Sequence, residues 1–129
     1  MTGSRCVLDT SIIIDAFKRD EIADRLDSFS ETFVSSTAVG ELYYGVYRSQ
    51  NIEKHIAQVQ NFLQKCTVLE QDSDTANIYG RIKTALTKKG RPIPENDMWI
   101  AATAIQFNLP LLSADKHFKE VADLILISL

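Results

Sequence analysis

Arg5-Cys6-Val7-Leu8-Asp9-Thr10-Ser11-Ile12-Ile13-Ile14 is the stretch on which the fold turns. Arg5 to Leu8 reads as a short buried strand. The polar turn Asp9-Thr10-Ser11 ends it, and Ser11 is placed to cap a helix over Ile12 to Phe17. Three consecutive isoleucines do not by themselves separate strand from helix. The polar cap and the short reach to Lys18-Arg19-Asp20 favour helix. A strand that ends on an acid and passes into a helix suits a parallel α/β sheet, which binds its ligands beyond the carboxyl ends of its strands.

The same alternation continues along the chain. Ile22, Leu26 and Phe29 form one stripe of a second short helix, followed by a strand at Glu31-Thr32-Phe33-Val34-Ser35. Ser36 or Thr37 can cap a third helix running to about Arg48. Asn51 opens an amphipathic helix with Ile52, Ile56, Val59, Phe62 and Leu63 on one face, and Cys66 to Leu69 is a third strand. Asp72 or Ser73 begins another helix, with Ile78, Ile82 and Leu86 at fourfold spacing and Gly90 as its stop. Two prolines make Gly90 to Glu95 irregular. From Asn96 a strongly apolar helix runs through Met98, Trp99 and Ile100 to Ile105, with Asn96 or Glu95 as its cap. Leu111-Leu112-Ser113 and Leu124 to Ile127 are the last two strands. Strands separated by helical segments predict an α/β fold, a three-layer α/β/α domain with a mainly parallel sheet of about five strands.

Length and composition fit that architecture. A chain of 129 residues predicts a single domain over residues 1–129, and 45% hydrophobic with 24% charged residues is ordinary for a folded protein. Its apolar stretches are too short to span a bilayer, and the first residues lead directly into a strand without room for a signal peptide. Cys6 and Cys66 read as two buried free thiols of a reducing compartment, which predicts a cytoplasmic location. There is no Cys/His cluster for structural zinc. The net charge of −3 argues against non-specific duplex binding, although Lys88-Lys89-Arg91 and Lys116 with Lys119 could form a basic rim.

Chemistry is concentrated in four acids, Asp9, Glu41, Asp97 and Asp115. Asp9 and Asp115 follow strands, whereas Glu41 and Asp97 fall near helix starts. Each has a structural alternative: an Asx-turn or cap for Asp9, and a first-turn acid favoured by the helix dipole for Glu41. Glu95 competes with Asp97, but it follows a proline in a loop and is less well held. Ser113 is positioned to donate a hydrogen bond that holds Asp115. Asp15 reads as a peripheral acid, and His117 as a surface or supporting residue. His55 has no visible chemical role. Gly40 and Gly45 each cost about 1 kcal/mol inside a helix relative to Ala, so they suggest close approach by another backbone or a partner. Tyr43, Tyr44 and Tyr47 beside them suit packing in the core or at a subunit face, or else flank a substrate channel, and Arg48 either pairs with a cluster acid or touches a partner.

Acids gathered in one crevice repel one another and raise each other's pKa unless a cation lies between them. Hard oxygen ligands suit Mg²⁺, which could activate water and neutralise a scissile phosphate. The four acids are therefore candidate metal ligands, with Ser11 placed to orient a metal-bound water or touch a phosphate.

Val7-Leu8-Asp9-Thr10-Ser11, Gly40-Glu41-Leu42-Tyr43-Tyr44-Gly45, Asn96-Asp97-Met98-Trp99-Ile100-Ala101-Ala102-Thr103-Ala104 and Leu111-Leu112-Ser113-Ala114-Asp115-Lys116-His117-Phe118 together resemble the PIN-domain family. The closest resemblance is to its VapC-like toxins of VapBC toxin–antitoxin pairs, in order and spacing over essentially the full length. The resemblance implies a PIN-like fold and a Mg²⁺- or Mn²⁺-dependent endoribonuclease that cuts structured RNA such as tRNA or rRNA. It also implies a homodimer and a cognate VapB-like antitoxin that occupies the active-site groove. It places the family's first three acids on Asp9, Glu41 and Asp97, the more variable fourth on Asp115, and the polar residue beside the metal on Ser11. Ser113 stands where many members carry Thr, and it keeps the hydroxyl. Water attack would leave a 5′-phosphate and a 3′-hydroxyl. Rival readings are a PIN nuclease of RNA processing without an antitoxin, a non-catalytic PIN-like binding scaffold, and a phosphatase or response-regulator-like domain. The last leaves Glu41 and Asp97 without a role.

Overall fold

The computed structural model describes residues 4–128. Its centre is β1 (Arg5–Leu8), whose Cys6, Val7 and Leu8 are completely buried. β2 (Glu31–Ser35) and β4 (Leu111–Leu112) pair with its two sides, β3 (Thr67–Leu69) lies outside β2, and β5 (Leu126–Ile127) lies outside β4. Every pairing in this sheet of order β3-β2-β1-β4-β5 is parallel, so the alternation expected from the sequence is what forms. Register is set at Val7, which faces Phe33 on one side and Leu111 on the other.

The helices are α1 (Thr10–Lys18), α2 (Asp20–Asp27), α3 (Ser36–Tyr47), α4 (Ile52–Leu63), α5 (Ser73–Lys89) and α6 (Glu95–Gln106). Parallel connections are right-handed, and the chain first steps outward from β1 to β3 and then returns across β1 to β4. That reversal puts the connecting helices on opposite faces and gives the three layers. It also creates the switch point between β1 and β4, where the strand ends open a crevice. α3 touches both α1 and α6, so the helices that border this crevice are braced against one another. In α6, Met98, Ile100, Ala101, Ala102, Thr103 and Ala104 are buried, as the small apolar residues of that segment anticipate.

Several local expectations are corrected. Ser11 is not a cap: α1 begins at Thr10, and Asp9 takes the cap position without a side-chain bond to the helix. Ser35, rather than Ser36 or Thr37, caps α3 by accepting from the Ala38 amide at 3.1 Å. Pro94 precedes α6, and neither Asn96 nor Glu95 caps it. Asn51 and Asp72 stand at the helix starts expected there and cap them, the latter in a reciprocal box with Thr75. α2 ends at Asp27, two residues short of Phe29, which still packs against the core. β5 begins at Leu126, because the Leu124 amide turns back to the Val121 carbonyl at 3.4 Å. Cys66 is only half-buried and precedes β3; both cysteines are free, and burial pushes the Cys6 thiol up to about 12.

No helix among the described residues is long and apolar enough to cross a membrane. Among the described residues, nothing outside their own helix turn lies within 4 Å of where a Cβ would stand at Gly40 or Gly45, so no other backbone there accounts for them.

The glycines of α5 make opposite demands. Gly90 ends the helix at φ +68° in the left-handed region, whereas Gly80 sits in the helix interior with open space around a built Cβ. Gly90→Ala is expected to lower unfolding free energy by about 1 kcal/mol, and Gly80→Ala to raise it by about 0.5–1 kcal/mol. Urea denaturation of the two variants checks the signs.

Candidate active site

The backbone of Asp9 is tied to the end of β4, its amide donating to the Leu112 carbonyl at 3.2 Å. Its side chain is almost fully buried, at 4% exposure, and does not act as a helix cap. Instead Oδ2 accepts two hydroxyl protons, from Ser11 at 2.7 Å and from Ser113 at 2.7 Å. The Ser113 oxygen in turn accepts from the Asp115 amide at 2.9 Å. Ser113 therefore holds Asp9 and the Asp115 backbone; the expected donation to the Asp115 carboxylate does not form. Asp115 caps a 3-10 turn over Lys116–Glu120, its Oδ1 accepting from the His117 amide at 3.4 Å.

Glu41 lies in the second turn of α3 rather than the first. Thr10 donates to its Oε1 at 2.6 Å, and the Asn96 amide nitrogen donates to Oε2 at 3.3 Å. Each donor adjoins one of the other acids in sequence, so Glu41 is aligned through the neighbours of Asp9 and Asp97. Asp97 is in the first turn of α6. Glu95 faces away, toward Tyr79 and the Lys83 ammonium.

His117 has a larger part than the sequence suggests. Its Nε2 stands 2.5 Å from Asp97 Oδ2 and 2.8 Å from Asp115 Oδ2. The ligand atoms of Asp97, Asp115 and His117 lie within 4.8 Å of one another, so these three could hold one metal ion. Asp9 and Glu41 stand around this trio without joining it at that spacing. Burial raises the Asp97 pKa, and the charges of Asp9 and Asp115 push the same way, against the His117 hydrogen bond. A carboxylate raised by its like-charged neighbours is the electrostatic condition that a divalent cation relieves, and an oxygen-rich donor set fits a hard ion. Lys116 and Lys119 are exposed in the turn that follows Asp115, while Lys89 is occupied by Glu120 at 3.5 Å. Arg48 lies over the Tyr44 ring at 4.3 Å from its centroid, and among the described residues it forms no ion pair with a cluster acid.

Residues 6–124 match the PIN domain family model. The chain belongs to the PIN-domain family. Similar proteins include Ribonuclease VapC2 of Haemophilus influenzae, 40% identical over 119 residues that cover 89% of this chain and 90% of the relative. The tRNA(fMet)-specific endonuclease VapC of Shigella flexneri is 30% identical, covering 92% of each chain. Among solved structures, VapBC2 from Rickettsia felis bound to a promoter DNA fragment superposes with a TM-score of 0.91 at 29% identity, over 96% of this chain and 98% of that one. VapBC-1 from nontypeable Haemophilus influenzae gives 0.88 at 32% identity, over 96% and 97%.

Thr10, Asn96 and His117 are the neighbours of the candidate acids that sequence reasoning undervalued in this PIN domain. Thr10 and Asn96 are each one residue from an acid, and His117 is two residues past one; adjacency to the acids was the available signal. Without bound metal, the raised pKa of Asp97 means the folded state holds its proton more tightly than the unfolded chain. Its contribution to stability is thus present at acid pH and lost as pH rises through the folded-state value. In EDTA, Asp97→Asn should melt higher than wild type near neutral pH, with the gap closing toward pH 4. Melting curves across that range check it; a gap that widens on acidification would show the opposite sign.

Proposed function

We propose that this PIN domain is a metal-dependent endoribonuclease of the VapC type, the toxin of a VapBC toxin–antitoxin pair. The observation that carries this reading is the convergence of acids at the β1/β4 switch point, with buried Asp9 facing the paired Asp97 and Asp115. These groups come from distant parts of the chain and crowd one another electrostatically. A purely binding scaffold has no need of such crowding. The ribonuclease relatives, similar over nearly their whole length, support the activity, and the VapBC complexes support a VapB-like antitoxin as partner. Structured RNA is the substrate class, tRNA first because the Shigella relative is named for it. Half-buried and buried free thiols support a reducing, cytoplasmic setting.

Asp9, Glu41, Asp97 and Asp115 are the proposed metal ligands, directly or through water, with Mg²⁺ or Mn²⁺ as the ion. A bound divalent ion supplies an activated water and neutralises charge on the scissile phosphate and the departing oxygen. Ser11 and Ser113 fix the Asp9 carboxylate by two hydroxyl bonds, so it meets the ion without reorganisation. Ser11 is exposed and keeps its lone pairs to accept from water at the site mouth. Thr10 and Asn96 fix Glu41 in the same way. Lys116 and Lys119 draw the RNA backbone to the rim. With water as nucleophile the 2′-hydroxyl takes no part, so the products carry a 5′-phosphate and a 3′-hydroxyl.

The exposed face of α3 supports a homodimer. Tyr44 and Tyr47 are 64% and 61% exposed on this helix, beside Gly40 and Gly45, whose Cβ positions meet nothing among the described residues outside their own helix turn. Large aromatic rings in the open next to a thin helix surface suit a second copy. Tyr44→Ala with Tyr47→Ala should shift the sedimentation of the purified protein from dimer to monomer; an unchanged dimer would place the interface elsewhere.

Asp9→Asn and Asp97→Asn each should reduce Mg²⁺- or Mn²⁺-dependent RNA cleavage by about 100-fold or more, with circular dichroism unchanged. End sequencing of RNA from controlled expression should find 5′-phosphates at the cut. Full cleavage by both purified variants would remove the metal role from these acids.

A further inference from the structure

His117 is the one aromatic nitrogen base at the mouth of the crevice, and its placement is specific. The ring is set by its neighbours in the chain: Asp115 caps the turn that carries it, and Phe118, at 1% exposure, anchors the next residue in the core. Nε2 is the atom that faces the acids, between Asp97 Oδ2 and Asp115 Oδ2. The other carboxylate oxygens described here are engaged differently. Asp9 Oδ2 accepts from two serines, both Glu41 oxygens accept from Thr10 and Asn96, and Asp115 Oδ1 accepts from the His117 amide. Asp97 Oδ2 and Asp115 Oδ2 have only His117 among those contacts, so the donor atoms that converge with protein hydrogen bonds to spare are two oxygens and one imidazole nitrogen.

We propose that His117 Nε2 is itself a ligand of the catalytic ion, completing a mixed nitrogen–oxygen site with Asp97 and Asp115; this rests on the metal-dependent reading above. The three donor atoms lie within 4.8 Å of one another. Nε2 lies 2.5 Å and 2.8 Å from the two oxygens, inside the limit of about 4.0–4.4 Å between donors on opposite sides of one ion with bonds of about 2.0–2.2 Å. In the ion-free protein the proton between Nε2 and the carboxylates supplies the hydrogen bonds. When an ion enters, that proton leaves to solvent and the Nε2 lone pair turns to the metal. An imidazole donor favours transition ions over Mg²⁺, so His117 sets which metal the site prefers. Carboxylates alone would leave that preference much weaker.

Electron spin-echo spectroscopy of the Mn²⁺-loaded protein tests this without relying on activity. Wild type should show nitrogen coupling from a directly bound imidazole, and labelling histidine with nitrogen-15 should shift that signal. His117→Gln keeps a hydrogen-bond donor between the acids and leaves His55 in place; it should lose the coupling. Direct titrations should show the Co²⁺-over-Mg²⁺ preference falling about 10-fold in the same variant. Mn²⁺ bound with wild-type affinity but without a histidine coupling would overturn the proposal and leave a carboxylate site. A coupling that survives in His117→Gln would overturn it too, by assigning the nitrogen elsewhere. Failure of wild type to bind Mn²⁺ at all would instead bring down the metal-dependent reading on which it rests.

Discussion

A nearly buried carboxylate, Asp9, is held by two serine hydroxyls that reach it from opposite ends of the chain. Burying a charge without partners is costly, and these two bonds, with the backbone bond from its own amide to Leu112, make the position tenable. They also clamp the ends of β1 and β4 together at the point where the sheet changes direction. Everything else in the crevice is arranged around that clamp. Asp115 hangs from Ser113, Asp97 faces both acids from the first turn of α6, and Glu41 enters from α3 on a bond from Thr10.

The electrostatic consequence is a site assembled against repulsion. Asp97 is pushed toward its neutral form by burial and by neighbouring carboxylates, and His117 answers that strain with hydrogen bonds to Asp97 and Asp115. Packing supplies the restraint that repulsion would otherwise undo: Met98 and Ile100 to Ala104 bury α6, Phe118 buries the turn after β4, and Cys6 to Leu8 bury the central strand. A charged crevice on a rigid apolar frame suits a nuclease, because donors already in place do not need to reorganise when charge develops on the phosphate. The PIN-domain family to which the chain belongs, and its similarity to VapC ribonucleases, agree with that chemistry.

Helix ends show how far local reading reaches. Asn51, Asp72 and Gly90 behave as their chemistry dictates, because capping and left-handed termination depend on a few adjacent atoms. Ser11 looks equally good as a cap, yet the helix starts one residue before it, and its hydroxyl donates to the charged Asp9 carboxylate. Ser113 likewise serves Asp9, 104 positions away, rather than the carboxylate two residues on. Glu41 was singled out by the sequence, but its place in the second turn followed from Ser35 taking the cap.

Hydrophobic periodicity, polar turns and paired glycine and proline breaks were enough to determine the parallel α/β plan and to single out Asp9, Glu41, Asp97 and Asp115, because those signals are local and repeat along the chain. Only the tertiary structure decided which acids meet directly, that Thr10 and Asn96 orient Glu41, and that His117 stands between Asp97 and Asp115. Those relations depend on distances across 20 to 55 positions of sequence, set by the order β3-β2-β1-β4-β5 and the packing of α3 against α6. A side chain's nearest partner in space follows from that packing, and no pattern of neighbouring residues encodes it.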